Sequence, residues 1–588
     1  MNGADLIARF LAHKGLSQAY VLTGGACAFI IDAIARRPEL EIVCFQHEQA
    51  AAMAADAVWR VARRPGVTVA TSGPGATNLL TGIACSYFDS IPALHITGQV
   101  NQRESAAAAG ARVRQLGFQE TDIVAMAAPV TKRAVKVTSV AELRRELVAC
   151  YALALSGRMG PVLIDVPMDV QQAPAEPWTE EELAPHTERR APIEDPALFG
   201  VFEGASRPLV LLGAGVGLAG VEAQVSDWLA RTGLPFVASW NALTSFDHSM
   251  PNFLGQVGVY GNRGANYVLQ NCDRLLVLGS RLDNRQRSGD PSRYAPGARV
   301  HVVDIDPEEL RKFGAQGYGT TTADLAGLPA ALPRIRVAPI DPVWTHYTEG
   351  LKRRFHGQDL SARARANDAP SPYAVVQRLN GAMARNAVVV ADCGANLCWV
   401  YQVFHRTAQT LFTAGGHSPM GYSLPAAIGA ALTARDREIW CFIGDGGMQI
   451  NLQELQTIRH LGLPIRIVIL NNAGYGIIRQ FQDSYMEGRH AASDEGVQPP
   501  DFGRLSAAYG LDHARVDRLD QLSDAFLARL RAAPRAVVVD VRLAANTLIE
   551  PKLEMGRPIN DQFPYVSDEA YAAANPFVPL PRVRAAGR

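Results

Sequence analysis

Short apolar runs bounded by turn residues recur along this chain, and each is followed by apolar positions spaced three and four residues apart. The first block reads as a helix at 3–14, the strand AYVLT, a helix near 27–36, EIVCFQ, a helix around 48–63, VTVATS, a helix at 76–86 and ALHITGQ. Strands that alternate with helices in this way predict a parallel sheet covered on both faces. From about 172 to 196 the chain is rich in Pro and charge, has no apolar period, and reads as a linker. A second block starts at RPLVLLGAGVGLAG and runs through LPFVASW, RLLVLGS and ARVHVVDID to about 335. A loose stretch over roughly 336–370 leads into a third block. The expected fold is α/β: three consecutive doubly wound parallel-sheet domains at 1–172, 196–335 and 371–545, then a Pro-rich tail, 546–588, that wraps over the body.

The third block carries the most informative stretch. EIWCFI and IRIVIL are buried parallel strands of one βαβ unit, so the loops after them meet at the carboxyl edge of the sheet, where ligands of such folds sit. Asp445 follows the first strand and Asn472 the second. A carboxylate, an amide oxygen and a backbone carbonyl near Gly474 suit a hard cation such as Mg2+. Gly444, Gly446 and Gly447 let backbone N–H groups approach a diphosphate. Taken alone, this is also how an ordinary glycine-rich turn looks.

Composition narrows the function classes. A chain of 588 residues is too long for one core. Lys+Arg and Asp+Glu both number 57, so no nucleic-acid or membrane-surface partner is expected. The N-terminus lacks the apolar core of a signal peptide, and no run reaches the roughly 18 apolar residues of a membrane span, so a cytoplasmic protein is expected. The eight cysteines read as reduced and mostly buried; the pair Cys393 and Cys398 lacks the second pair that a zinc site needs.

GDG followed, 27 residues after its Asp, by the second Asn of an NN that closes an apolar strand resembles the thiamine diphosphate (ThDP) binding motif. Three α/β domains in this order resemble the ThDP-dependent decarboxylases and carboligases, and over about 1–545 the chain looks like the catalytic subunit of acetolactate synthase. The resemblance implies a pyrimidine-binding first domain, a central FAD-type domain and a diphosphate-binding third domain. In HEQAAAMAADA it makes Glu48 the carboxyl that bonds N1′ of the aminopyrimidine, with a structural part for His47. Without it, Glu48 would read as a solvated acid at a helix start. SGPGATN, with Gly73, Pro74 and Asn78, then lines the pyrimidine in the partner subunit, while Gly394 and Asn396 contact the diphosphate. Met420 enforces the bent cofactor, although Met is also a common core filler. Gly416-His417-Ser418-Pro419 departs from the family's Gly-Leu-Gly-Thr; Ser418 is placed beside the cofactor, and His417 either faces substrate or braces the loop.

In the central domain Gly213, Gly215, Arg281, Arg285, Asp304 and Asp324 match FAD-binding stretches, and Arg suits a diphosphate through paired donors. Phe118 and Gln119 border flavin and substrate channel, Gly25 lies on the substrate side, and Phe481 stands where the family has a Trp that selects larger acceptors. The implied cofactors are ThDP, Mg2+ and FAD. The implied assembly is a homodimer at minimum and a homotetramer by expectation, with a regulatory subunit open. The expected chemistry is transfer of a pyruvate-derived hydroxyethyl unit from a 2-oxo acid to a carbonyl acceptor, with acetolactate as the leading product. The altered 417–419 loop and Phe481 motivate an alternative, acetyl transfer to another ketone such as a 4-keto sugar nucleotide. A pyruvate oxidase-type flavoenzyme is a third reading, and a non-catalytic scaffold a fourth. Glu48, Asp445 and Asn472 together speak against the scaffold, because packing alone needs none of them.

Overall fold

The computed structural model describes residues 1–184, 191–288, 290–355, 369–580 and 582. Its strands form three six-stranded sheets, and every neighbouring pair within them is parallel. The first sheet runs, in spatial order, Glu41–Cys44, Gln18–Val21, Gly66–Ala70, Ala93–Gln99, Val162–Pro167 and Arg133–Lys136. The third repeats that order with Thr410–Phe412, Val388–Ala391, Ile439–Gly444, Ile465–Asn471, Val537–Arg542 and Asp512–Val516. The second is wound differently: Gly319–Thr322, Arg299–Asp304, Arg274–Leu278, Pro208–Leu212, Phe236–Ala238 and Phe253–Gln256. Read from the other edge, this is the order of a dinucleotide-binding fold.

Strand order decides where ligands can bind. A crevice opens where consecutive crossovers leave in opposite directions. In the first sheet it lies between the ends of Gln18–Val21 and Gly66–Ala70, hence beside Gly25 and the 71–78 loop. In the third it lies between Val388–Ala391 and Ile439–Gly444, hence beside 392–396 and 444–447. In the second it lies between Pro208–Leu212 and Arg274–Leu278, beside Gly213–Gly217 and 279–285.

The first and third domains pack through the helices Glu48–Ala62 and Ser423–Thr433. Both are rich in Ala and Gly, so their backbones come close; a methyl at Gly429 would overlap the Ala54 carbonyl. One buried ion cluster joins all three domains. Arg60 pairs with Asp56 and with Asp89, each at 2.7 Å, and Tyr422 donates to Asp56. Asp89 also accepts from Asn241 at 3.1 Å and from the backbone N–H groups of Gly415 and Gly416 at 2.9 and 2.8 Å.

The tail lies over the body, as expected. Trp399 donates to Leu548 O at 3.0 Å, Asn266 to Ile559 O at 3.1 Å, and Tyr347 to Ala574 O at 2.7 Å. The stretch read as loose, 336–370, contains the helix Pro342–Phe355, whose Trp344, Thr348 and Leu351 are buried. Its charged run KRR had hidden that apolar stripe; residues 356–368 lie outside the described residues. In the linker, Trp178 donates to Leu6 O at 3.0 Å, which holds this part of the segment against the first domain; residues 185–190 lie outside the described residues.

Candidate active site

Two half-sites stand at the crevices of the first and third sheets. In the first domain, His47 caps the helix Glu48–Ala62 by accepting from Gln49 N at 3.1 Å. Glu48 is buried, and its carboxyl accepts from Asn78 Nδ2 at 3.0 Å. A methyl added at Gly75 would sit 3.2 Å from Glu48 Oε1, and one at Gly73 would sit 2.8 Å from Gln119 Cβ. Glu48, Gly73, Gly75, Asn78 and Gln119 therefore share one corner. Gly25 is exposed at the same edge, beside the Ala26 N–H that donates to Thr71 Oγ1 at 3.2 Å. Pro74 begins the short helix Pro74–Asn78 and is exposed.

In the third domain, Asp445 begins a helical segment directly after Ile439–Gly444. Its carboxylate accepts from Gly446 N at 2.7 Å and Gly474 N at 3.0 Å. Burial pushes its pKa up to about 6, and those backbone N–H groups pull against the rise. Asn472 donates its amide nitrogen to Gly474 O at 3.1 Å and accepts at its oxygen from Arg479 Nη2 at 3.2 Å.

Around this pair Gly394 starts the helix Ala395–Val403, and Asn396 donates to Phe442 O at 3.1 Å, with its own Oδ1 buried and unpartnered. Gly444 lies beside Asn396 Cβ. Gly446 has to be a glycine, because a Cβ there would overlap the Tyr475 ring and stand 3.2 Å from the Met420 methyl. Met420 thus belongs to the Asp445 corner. Ser418 takes a positive φ of 55°, is exposed, and donates its N–H to Ala414 O at 2.8 Å. His417 stacks on Phe88 with centroids 5.5 Å apart, and burial holds its imidazole below the ordinary value. Phe481 is 36% exposed and packs on Tyr485.

Among the described residues no hydrogen bond or ion pair joins Glu48, Asn78 or Gln119 to Asp445, Asn472 or Gly474. Each half-site is built within the chain, and Asn451 links the two elements behind them, accepting from Gln49 at 3.3 Å and donating to Gly421 O at 2.9 Å. Phe118, expected at the flavin, is 84% exposed and does not line the cavity of the central sheet. It projects from a loop that Glu120 braces by accepting from Ala106, Leu116 and Gly117 N–H groups.

A separate cavity of about 560 Å³ occupies the crevice of the central sheet. Gly215, Arg281, Arg285, Asp304 and Asp324 line it together with Asp89 and Arg158 of the first domain and Gly415 and Gly416 of the third. Gly213 does not line it; it packs under the floor, where a methyl would overlap the Gly279 carbonyl. Glu48, Asp445 and Asn472 do not line this cavity, and the loop that leads to Met420 reaches it through Gly415 and Gly416.

Sequence reasoning missed three residues of the site. Asp392 is buried and accepts from Gly421 N at 3.0 Å, Ser423 N at 2.9 Å and Ser423 Oγ at 3.0 Å, which pins the turn after Met420. Burial raises its pKa. Asp89 holds the start of the same loop. Glu454, pushed up to about 7 by burial, accepts from Gln46 N at 3.1 Å, two residues before Glu48. Only Asp392 had a signal, its place at the end of an apolar strand.

Three family models match the chain: thiamine pyrophosphate enzyme, N-terminal TPP binding domain, over 1–126; central domain, over 197–319; and C-terminal TPP binding domain, over 392–541. The chain is 34% identical to the acetolactate synthase isozyme 2 large subunit of Escherichia coli, over 89% of this chain and 92% of that one. It is 33% identical to the acetolactate synthase large subunit of Corynebacterium glutamicum, over 95% and 90%. A 31% identity to the large subunit of Lactococcus lactis covers 94% and 95%. No helix among the described residues is long and apolar enough to cross a membrane. With its three domains matched in order and its relatives aligned nearly end to end, the chain belongs to the thiamine pyrophosphate enzyme family and, within it, to the acetolactate synthase-like carboligases.

Proposed function

We propose that two copies of the chain build each active centre, Glu48 and Gln119 from one and Asp445, Asn472, Gly474 and Met420 from the other, and that the centre joins a pyruvate-derived hydroxyethyl unit to a second carbonyl compound. The observation that carries this reading is the oxygen set of the third domain. Gly474 N donates to the Asp445 carboxylate at 3.0 Å, so the two loops meet at one edge, and a turn of the Asn472 amide would bring its oxygen to the position 3.1 Å from Gly474 O that its nitrogen holds, close to the edge of an octahedron. Ligands at about 2.0–2.1 Å from Mg2+ have edges of roughly 2.9 Å. These residues fit Mg2+, with positions left for a diphosphate.

When bound, ThDP supplies the electron sink that makes decarboxylation of a 2-oxo acid feasible. The chain does the rest. Glu48, shielded from water and held by Asn78, keeps a proton at the pyrimidine nitrogen. The Gly447 N–H, at the start of the Asp445–Ile450 segment, would face the diphosphate, since the Gly446 N–H is held by Asp445 and Asn396 Nδ2 by Phe442 O. The Met420 thioether, fixed between Gly446 and the turn held by Asp392, is a rigid prop. Gln119, His417 and Phe481 shape the acceptor pocket, and the exposed Phe118 is supported as part of an interface by its 84% exposure on a braced loop.

The central cavity fits FAD in volume, in strand order and in its mixture of Arg281, Arg285 and Arg158 with Asp304 and Asp324. Pyruvate as donor and acceptor, giving acetolactate, is the leading product. The second reading, acetyl transfer to a ketone such as a 4-keto sugar nucleotide, is favoured by Phe481 and the His417 loop. Purified enzyme given ThDP, Mg2+ and pyruvate, with and without the candidate ketone, separates them by mass spectrometry of products. Acetolactate in both mixtures supports the first reading; a mixed ketol supports the second; no carbon–carbon bond formation overturns both. An anaerobic flavin spectrum that bleaches with pyruvate would instead mark an oxidase.

A further inference from the structure

Gln119 holds a backbone conformation that its surroundings must enforce. Its φ is 62°, in the left-handed region that residues with a Cβ rarely adopt. On the outer side the loop is braced by Glu120, and Gln119 is seated so closely on Gly73 that a methyl there would stand 2.8 Å from Gln119 Cβ and 3.0 Å from Gln119 O. On the inner side it is held by a buried polar chain. Gln99 ends the strand Ala93–Gln99 and donates its Nε2 to Thr121 O at 2.9 Å and to Asp165 Oδ2 at 3.0 Å, while its Oε1 accepts from Val100 N at 3.0 Å. Asp165, on the strand Val162–Pro167, accepts at Oδ1 from Thr97 Oγ1 at 2.7 Å. The Thr121 hydroxyl reaches back to Gln119 O at 3.5 Å.

Strand pairing sets this chain up. Thr97 lies opposite Asp165 in the parallel register, and Thr97 and Gln99, two residues apart, face the same way, so one carboxylate reaches both. Asp165, Thr97 and Gln99 are all buried. An acid sealed inside a sheet costs free energy that packing alone does not return, and what it provides here is the orientation of Gln99. Burial pushes the Asp165 pKa up to about 6, and the hydrogen bonds from Thr97 and Gln99 pull against the rise. Protonation does not break the chain, because a hydroxyl donates or accepts: Thr97 can bond either form of the acid while Oδ2 keeps Gln99. Gln99 has no such freedom. Thr121 O and Asp165 Oδ2 are both acceptors, so its nitrogen must face them, and that one nitrogen ties the sheet to the loop.

We propose that Asp165 and Gln99 are positioning residues that hold Gln119 in its left-handed backbone at the acceptor pocket, and so set how often the hydroxyethyl unit is joined to an acceptor rather than lost. This rests on the reading of Gln119 as a wall of that pocket and adds what fixes it there.

The test uses full-length enzyme with ThDP, Mg2+ and pyruvate as donor, with pyruvate or a nucleoside-diphosphate 4-keto sugar as acceptor, and reads ketol formed per CO2 released. That ratio does not depend on how much of the enzyme is folded. Gln99→Met, similar in shape but without donor or acceptor, should lower it about three- to tenfold, the effect of one lost hydrogen bond. Asp165→Ala should lower it as well. Asp165→Asn should keep it, because its NH2 can donate to Thr97 Oγ1 while its oxygen accepts from Gln99. Gln119→Ala should lower the ratio, and adding Gln99→Met to that variant should lower it no further. Thr68→Val removes the buried Thr68–His95 bond of 2.8 Å in the same sheet and should leave the ratio unchanged. If Gln99→Met does not fold, Gln99→Asn, one methylene too short for Thr121 O, carries the same comparison. A wild-type ratio in Gln99→Met or Asp165→Ala, a matching loss in Asp165→Asn or Thr68→Val, or losses that multiply in the double variant overturn the positioning alone. A wild-type ratio in Gln119→Ala overturns its place in the pocket and the positioning with it, and absence of any ketol from wild type overturns the carboligase reading.

Discussion

Asp392→Asn tests whether the turn behind Met420 is held by one buried carboxylate. Asp392 Oδ1 accepts from Gly421 N at 3.0 Å, and Oδ2 accepts from Ser423 N and Oγ at 2.9 and 3.0 Å. Asparagine can keep only one of these edges, and its NH2 then faces a donor. The better setting keeps the Ser423 pair and abandons Gly421 N. A hydrogen bond to a charged group contributes about 1.5–3 kcal/mol, and a buried N–H left alone costs about 1–3 kcal/mol, with part of this shared between the two figures. Relief of the buried charge offsets some of the loss, which leaves a destabilisation of about 3 kcal/mol. The thermal midpoint of the third domain should fall by roughly 6–12 °C at a fixed scan rate. Ser423→Ala, which removes only the hydroxyl bond, should cost about 1 kcal/mol. Because Gly421 adjoins Met420, kcat should fall in Asp392→Asn more than the midpoint of Ser423→Ala would suggest. Calorimetry and steady-state rates on both variants decide the matter; wild-type midpoint and kcat in Asp392→Asn would refute the pinning argument.

Arg60→Met strands Asp56 and Asp89 as buried carboxylates and should cost about 3–5 kcal/mol, read as a large drop in urea midpoint; an unchanged midpoint would mean the cluster does not join the domains. Gly446→Ala places a methyl against Tyr475 and Met420, so ThDP affinity by fluorescence titration should weaken about tenfold or more while the fold persists; unchanged affinity would remove Gly446 from the cradle. The raised Asp445 pKa of about 6 has a definite sign. Its folded value lies above the unfolded one, so in metal-free protein its contribution to stability is full below about pH 4 and is lost as pH rises through about 6. Mg2+ needs the ionised form, so apparent metal affinity should fall about tenfold per unit below pH 6, measured by calorimetric titration; a flat profile would contradict the ligand assignment.

Much of this was legible because it is local. The strand Ile439–Gly444, the strand Ile465–Asn471 and the rule that parallel strands share a carboxyl edge are enough to bring Asp445 and Asn472 together. Glu48 at a helix start after a strand, and the glycines of 73–75 beside it, follow from the same logic in the first domain. Asp89 was not legible, because its four partners come from residues 60, 241, 415 and 416, and no pattern in one segment encodes a contact among three domains. The helix Pro342–Phe355 was hidden because its apolar stripe is narrow and its end strongly basic.

The central claim is that Glu48 of one copy and the Asp445 corner of another make one site. Glu48→Gln and Asp445→Ala, each purified alone, should fold and be nearly inactive. Co-expressed in equal amounts, they should recover about a quarter of wild-type activity, since half the dimers are mixed and each mixed dimer has one intact centre. Mixed oligomers that form but stay inactive at every ratio would contradict the claim.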